Sequence, residues 1–136
     1  MVQIDITYEG GLRTRAVHQP SSANCVTDAP VDNHGKGESF SPTDLVATAL
    51  GSCMLTIMGI VADRHDWDLS GASVQVQKAM SKEGPRRIEE LSVHIRIAGD
   101  FEPAARKALE AAALGCPVHA TLGDRVRMPV HFDWVG

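Results

Sequence analysis

The sequence predicts an α+β fold with largely antiparallel strands. Three observations carry this. Apolar residues alternate with period two in several segments. One long helix is announced at Ser41-Pro42. Within each group of strands the connections are short, as antiparallel pairing requires.

The elements follow in order. Residues 2–8 alternate as Val2, Ile4, Ile6 and Tyr8, a strand, and Gly10-Gly11 marks a turn. Residues 12–18 and 24–29 read as two further short strands. The span 30–41, with Pro30, Gly35 and Gly37 among polar residues, reads as a loop. In Ser41-Pro42-Thr43-Asp44, serine suits the N-cap and proline the first helical position. Asp44 then meets the exposed N–H groups of the first turn. Leu45, Ala49, Cys53, Ile57, Ile60 and Val61 recur at helical spacing to about residue 65, with few polar groups between them. That predicts a helix buried on most sides.

Residues 70–79 and 87–98 alternate again, separated by Glu83-Gly84-Pro85, and read as a hairpin. A second helix is expected over 102–114, with Pro103 in its first turn and Gly115 at its end. Cys116-Pro117 opens a short third helix through about Leu122. Residues 125–134 close the chain as a strand, with Val126, Met128, Val130 and Phe132 on one face.

The 136 residues fit one domain, 1–136. A domain of this size buries roughly two-thirds of its unfolded-chain surface. The net charge of −4 argues against a nucleic-acid partner, which wants a basic face. The N-terminus alternates and carries a charge, so it forms no signal-peptide core. No stretch is expected to reach the roughly 18 apolar residues that span a bilayer. Together these features point to a cytoplasmic protein. In that reducing setting three cysteines, an odd count, suggest free or reactive thiols rather than a disulfide framework.

Cys53 lies within Leu50-Gly51-Ser52-Cys53-Met54 of the long helix. A cysteine on such an apolar face is commonly a small core residue. Gly51 and Ser52, however, leave room for close approach of a backbone or a ligand. Cys116, in Gly115-Cys116-Pro117-Val118-His119, is placed to cap the short helix, whose N–H groups would lower its pKa. On local grounds it looks the more activated of the two. Cys25, in a strand with nothing nearby to activate it, reads as structural. Cys116-x-x-His119 has a spacing found in metal sites, with Cys53 a conceivable third ligand. No spacing singles out any of the six histidines as a general base.

Ser41-Pro42-Thr43-Asp44-Leu45 followed by Ala49-Leu50-Gly51-Ser52-Cys53 resembles the cysteine helix of the OsmC/Ohr family. Cys116-Pro117-Val118-His119-Ala120-Thr121-Leu122 resembles that family's second cysteine motif, and the element order matches along nearly the whole chain. The resemblance implies an intertwined homodimer, with mostly antiparallel sheet wrapping long central helices. It implies thiol-dependent reduction of organic hydroperoxides at the subunit interface. Cys53 would attack the peroxide and Cys116 would resolve the sulfenic acid as a disulfide. An external dithiol would then reduce that disulfide. No metal or organic cofactor is implied, and neither a membrane nor a nucleic acid as partner.

In the Ohr branch an arginine from the N-terminal strands stabilises the attacking thiolate, held by a glutamate near the start of the cysteine helix. Arg13 is the best match for the arginine, with Arg15 two residues on. The glutamate motif Asn-Pro-Glu is Ser41-Pro42-Thr43 here. Threonine cannot accept a charge-assisted bond as a carboxylate does, so Glu38 or Asp44 would have to substitute. An OsmC-like dimer without peroxidase activity, binding a small hydrophobic or thiol ligand at its interface, is the alternative reading.

Overall fold

The computed structural model describes all residues, Met1–Gly136. They fall into two compact units, Met1–Val46 and Ala47–Gly136, with the boundary inside the long helix.

The first unit holds three antiparallel strands in the order β1-β2-β3: β1 (Ile4–Gly10), β2 (Arg13–His18) and β3 (Ala23–Asp28). The Gly10-Gly11 turn takes positive φ at both glycines, which costs glycine little. The loop after β3 is fastened to that strand. The Asp28 N–H donates to the Phe40 carbonyl at 3.0 Å, and the Ser39 hydroxyl donates to the Val26 carbonyl at 2.8 Å.

The long helix, α1 (Pro42–Arg64), starts where the sequence placed it. Ser41 Oγ accepts the Asp44 N–H at 3.1 Å, and Asp44 Oδ2 accepts the Ser41 N–H at 2.9 Å. This reciprocal pair is a capping box built on aspartate instead of glutamate, and it satisfies two otherwise orphaned donors.

In the second unit β4 (Ser73–Met80) and β5 (Ile88–Ala98) form the expected antiparallel hairpin, and β6 (Val130–Val135) joins β5 in parallel. The parallel pair is allowed because α2 (Pro103–Leu114) and α3 (Pro117–Leu122) lie between its strands, long enough for a crossover. Leu91, Val93, Ile95 and Ile97 of β5 are all buried, while His94 and Arg96 between them are exposed. On α2, Ala105, Leu109 and Ala113 make a buried stripe four residues apart. Its packing is pinned at Trp134 of β6, whose indole N–H donates to Glu110 at 2.9 Å while Phe101 and Arg106 lie against the ring.

Three expectations need correction. First, α1 is not buried on most sides within the chain: only Ala47, Leu50, Gly51, Met54, Met58 and Ala62 are buried, a single stripe. Second, α1 is long and apolar enough to cross a bilayer by length and composition, a test that core helices of folded domains also pass. Third, the last strand begins at Val130, not 125. Residues Gly123–Arg125 form a 3-10 turn, and Pro129, having no N–H, interrupts the ladder that Arg127 begins beside Glu90.

Candidate functional site

The buried stripe of α1 faces β4 at one tight point. A Cβ on Gly51 would stand 2.9 Å from Val76 and 3.2 Å from Val74. The small residue thus serves the approach of a strand, not of a ligand, and it sets α1 close to the sheet two residues before Cys53. Cys53 is half-buried, on a flank of that stripe.

Cys116 is fully buried and is the N-cap of α3, with its Sγ accepting the His119 N–H at 3.3 Å. Its thiol also lies near enough to that of Cys53 for the two to influence each other's ionisation. The structure thus brings together two thiols 63 positions apart in the sequence, and all three cysteines are free. A disulfide would need the two sulfurs to close to about 2.05 Å.

Capping was expected to make Cys116 the activated thiol. The balance runs the other way. Burial pushes the Cys116 thiol up from its ordinary range, the His119 N–H only partly offsets this, and the neighbouring Cys53 adds to the rise. Cys116 is therefore a neutral thiol at physiological pH. Its folded-state pKa lies above the unfolded one, so the resulting stabilisation is complete below the ordinary thiol range and is lost as pH rises through the folded value. In a Cys53→Ser variant burial remains. The ¹³Cβ shift of Cys116 should then titrate with a midpoint above the roughly 8.5 of a free cysteine. A midpoint below that would show that the helix cap dominates.

Arg13 belongs to the first unit. On β2 it stands opposite Asp28 of β3, and its Nη1 lies 3.3 Å from Glu38 Oε2. Glu38 is itself held, because its backbone N–H donates to Asp28 Oδ2 at 3.0 Å. Asp28 is fully buried, and its other oxygen has no hydrogen-bond partner. Of the two carboxylates that could substitute at Thr43, Asp44 closes the helix cap and Glu38 pairs with the arginine. Thr43 itself places its hydroxyl 3.2 Å from Ser41 Oγ. Arg15 pairs instead with Glu9, at 3.2 Å, on the neighbouring strand β1. The Arg13–Glu38 pair is half-exposed, so its worth lies in orientation and not in stability.

Cys53, Cys116 and His119 do not make a metal site: nowhere do three or more histidine, cysteine, aspartate or glutamate side chains converge as ligands.

Comparison with known proteins decides the family. The model of the OsmC-like protein family matches residues 35–130, well over half of the chain. The chain belongs to the OsmC-like family. A Psychrobacter arcticus 273-4 structure, named for an osmotic stress induced and detoxification response, is 42% identical, with a TM-score of 0.91 over 97% of this chain and 96% of that one. An OsmC-like protein from Mycoplasma pneumoniae shares the fold at 16% identity, with a TM-score of 0.84 over 100% and 98% of the two chains. The organic hydroperoxide resistance protein OsmC from Legionella pneumophila does so at 15% identity, with a TM-score of 0.78 over 98% and 96%. No curated protein matches. The α+β architecture is thus the OsmC/Ohr fold, and its family includes organic hydroperoxide resistance proteins.

Proposed function

We propose that this OsmC-like protein is a cysteine-based peroxidase that reduces organic hydroperoxides, with Cys53 attacking and Cys116 resolving. The observation that carries the reading is the proximity of the two thiols, one half-buried on a helix flank and one fully buried. The Cys53 thiolate attacks the distal peroxide oxygen, the O–O bond breaks, and the alkoxide leaves as an alcohol after taking a proton. Cys53 becomes a sulfenic acid. The Cys116 sulfur then attacks the oxidised sulfur, water leaves, and the disulfide forms. An external dithiol returns both cysteines to thiols, which requires a reducing compartment such as the cytoplasm.

Burial of Cys116 suits its part. A thiol held neutral does not compete for peroxide, yet it stands beside the sulfur it must join. By its match to the family pattern, Arg13, which pairs with Glu38, is the residue we propose to stabilise negative charge on the attacking sulfur. The working form is a homodimer. Two apolar surfaces support this: Ile4, Ile6 and Tyr8 on β1 are each more than half exposed, and on α1 Ile60 is exposed while Leu45, Leu55, Ile57 and Val61 are only half-buried.

Mass spectrometry of the fully reduced protein after one equivalent of cumene hydroperoxide tests the cycle. The expected product is a Cys53–Cys116 bond within one chain, with Cys25 still alkylatable. Recovery of both Cys53 and Cys116 as unmodified thiols, with the peroxide intact, would sink the reading.

A further inference from the structure

The outer face of the second sheet carries a feature with no part in the thiol chemistry. His94 on β5 and His131 on β6 are register partners in the parallel pair, so their side chains leave the same face side by side. Both are exposed, and neither makes a hydrogen bond within the chain. Their ring centroids are 4.6 Å apart and their planes are inclined by 59°. Gln75 on β4 lies opposite His94, so a row Gln75–His94–His131 crosses all three strands. A depression of about 300 Å³ covers this row and is also lined by Gln77, Ser92 and Pro129.

We propose that His94 and His131 form a two-imidazole site for a borderline divalent transition-metal ion, of which Zn²⁺ is the representative. The geometry fits. A bound imidazole places its nitrogen about 2.0–2.1 Å from the metal and its centroid about 3.2 Å away, so two such rings at 90–110° have centroids about 4.5–5.2 Å apart. The observed spacing falls in that range. A metal lies in the plane of each ring that binds it. Inclined rings can therefore share one ion, as stacked rings could not.

The donor set selects the ion. No carboxylate lines the depression, so a hard cation such as Ca²⁺ or Mg²⁺ finds too few oxygen ligands. Neutral imidazoles suit zinc, nickel and copper. The Gln75 carboxamide and water complete the coordination. Arg96 and Asp133, register partners two residues further along the same two strands and on the same face, bring opposite charges and little net field.

The fully reduced protein should be titrated with ZnCl₂ while its histidine ring nitrogens are followed by long-range ¹H–¹⁵N spectra. His94 and His131 are expected to shift together and saturate together. Saturation should come well before His18, His34 and His65 respond. His131→Ala and His94→Ala, both at exposed positions, should each weaken that response by about 10- to 100-fold and leave peroxide turnover unchanged. A response confined to the cysteines and His119, or one in which all six histidines move in parallel, overturns the site. So does an affinity that neither substitution alters.

Discussion

Replacing Cys53 by serine should reduce peroxide consumption to the rate of buffer alone, a loss on the order of 10⁴-fold or more, as for other nucleophile deletions. Serine keeps the shape of the side chain to within one atom. Cys53 is half-buried beside the packed stripe and not within it, so the melting temperature should stay within a few degrees. What disappears is the chemistry. An alcohol is far less acidic than a thiol, and oxygen has no counterpart to the sulfenic state. Cys116→Ser should behave differently: one alcohol is released per subunit, then turnover stops with Cys53 trapped by dimedone as a sulfenic adduct. Stopped-flow consumption of cumene hydroperoxide with a dithiol reductant separates the cases. A single burst of one alcohol per subunit from Cys53→Ser together with complete loss in Cys116→Ser would reverse the two assignments. That reversal would also contradict the burial that keeps Cys116 neutral.

Where local chemistry dictates structure, the sequence was legible. Ser41, Pro42 and Asp44 specify a helix start by their own hydrogen-bonding and dihedral preferences, and the helix begins at Pro42. Alternation placed the β4–β5 hairpin to within a few residues. Other features depend on partners far along the chain. Apolar composition along α1 suggested burial on most sides, yet composition does not say which faces the same chain covers, and here it covers one. The late start of β6 follows from a backbone donor missing at Pro129. That matters only once β5 is known to be the neighbour.

The same division runs through the candidate site. Cys116 as an N-cap was readable from the proline that follows it, and the cap exists. Its pKa was not readable, because the deciding quantity is burial, and burial belongs to the folded molecule. Glu38 lies 25 positions from Arg13, and no spacing rule joins a strand residue to a loop residue that far away. His94 and His131 are neighbours only through the register of a parallel pair that encloses two helices. A histidine count could not have selected them.

Arg13→Ala is expected to lower kcat/KM for hydroperoxide by roughly 100-fold, the scale of removing one charge-stabilising donor from a preorganised site. Arg13→Lys should recover only part of this, since lysine offers a point charge where the guanidinium offers an oriented fork. Glu38→Gln should cost less, about 10-fold, because the amide keeps the size of the side chain and the backbone N–H bond to Asp28 but gives up the charge that aims Arg13. Arg15→Ala, which breaks a pair with Glu9 on β1 instead, is expected to leave turnover unchanged. The decisive comparison is the double variant Arg13→Ala/Glu38→Gln. If Glu38 acts through Arg13, the double variant is no worse than Arg13→Ala alone, and the two costs fail to add. Additive losses would mean that Glu38 has a separate role. A full rate in Arg13→Ala would remove the arginine from the mechanism while leaving the thiol pair untouched. The peroxidase reading would then have to find its charge-stabilising group elsewhere.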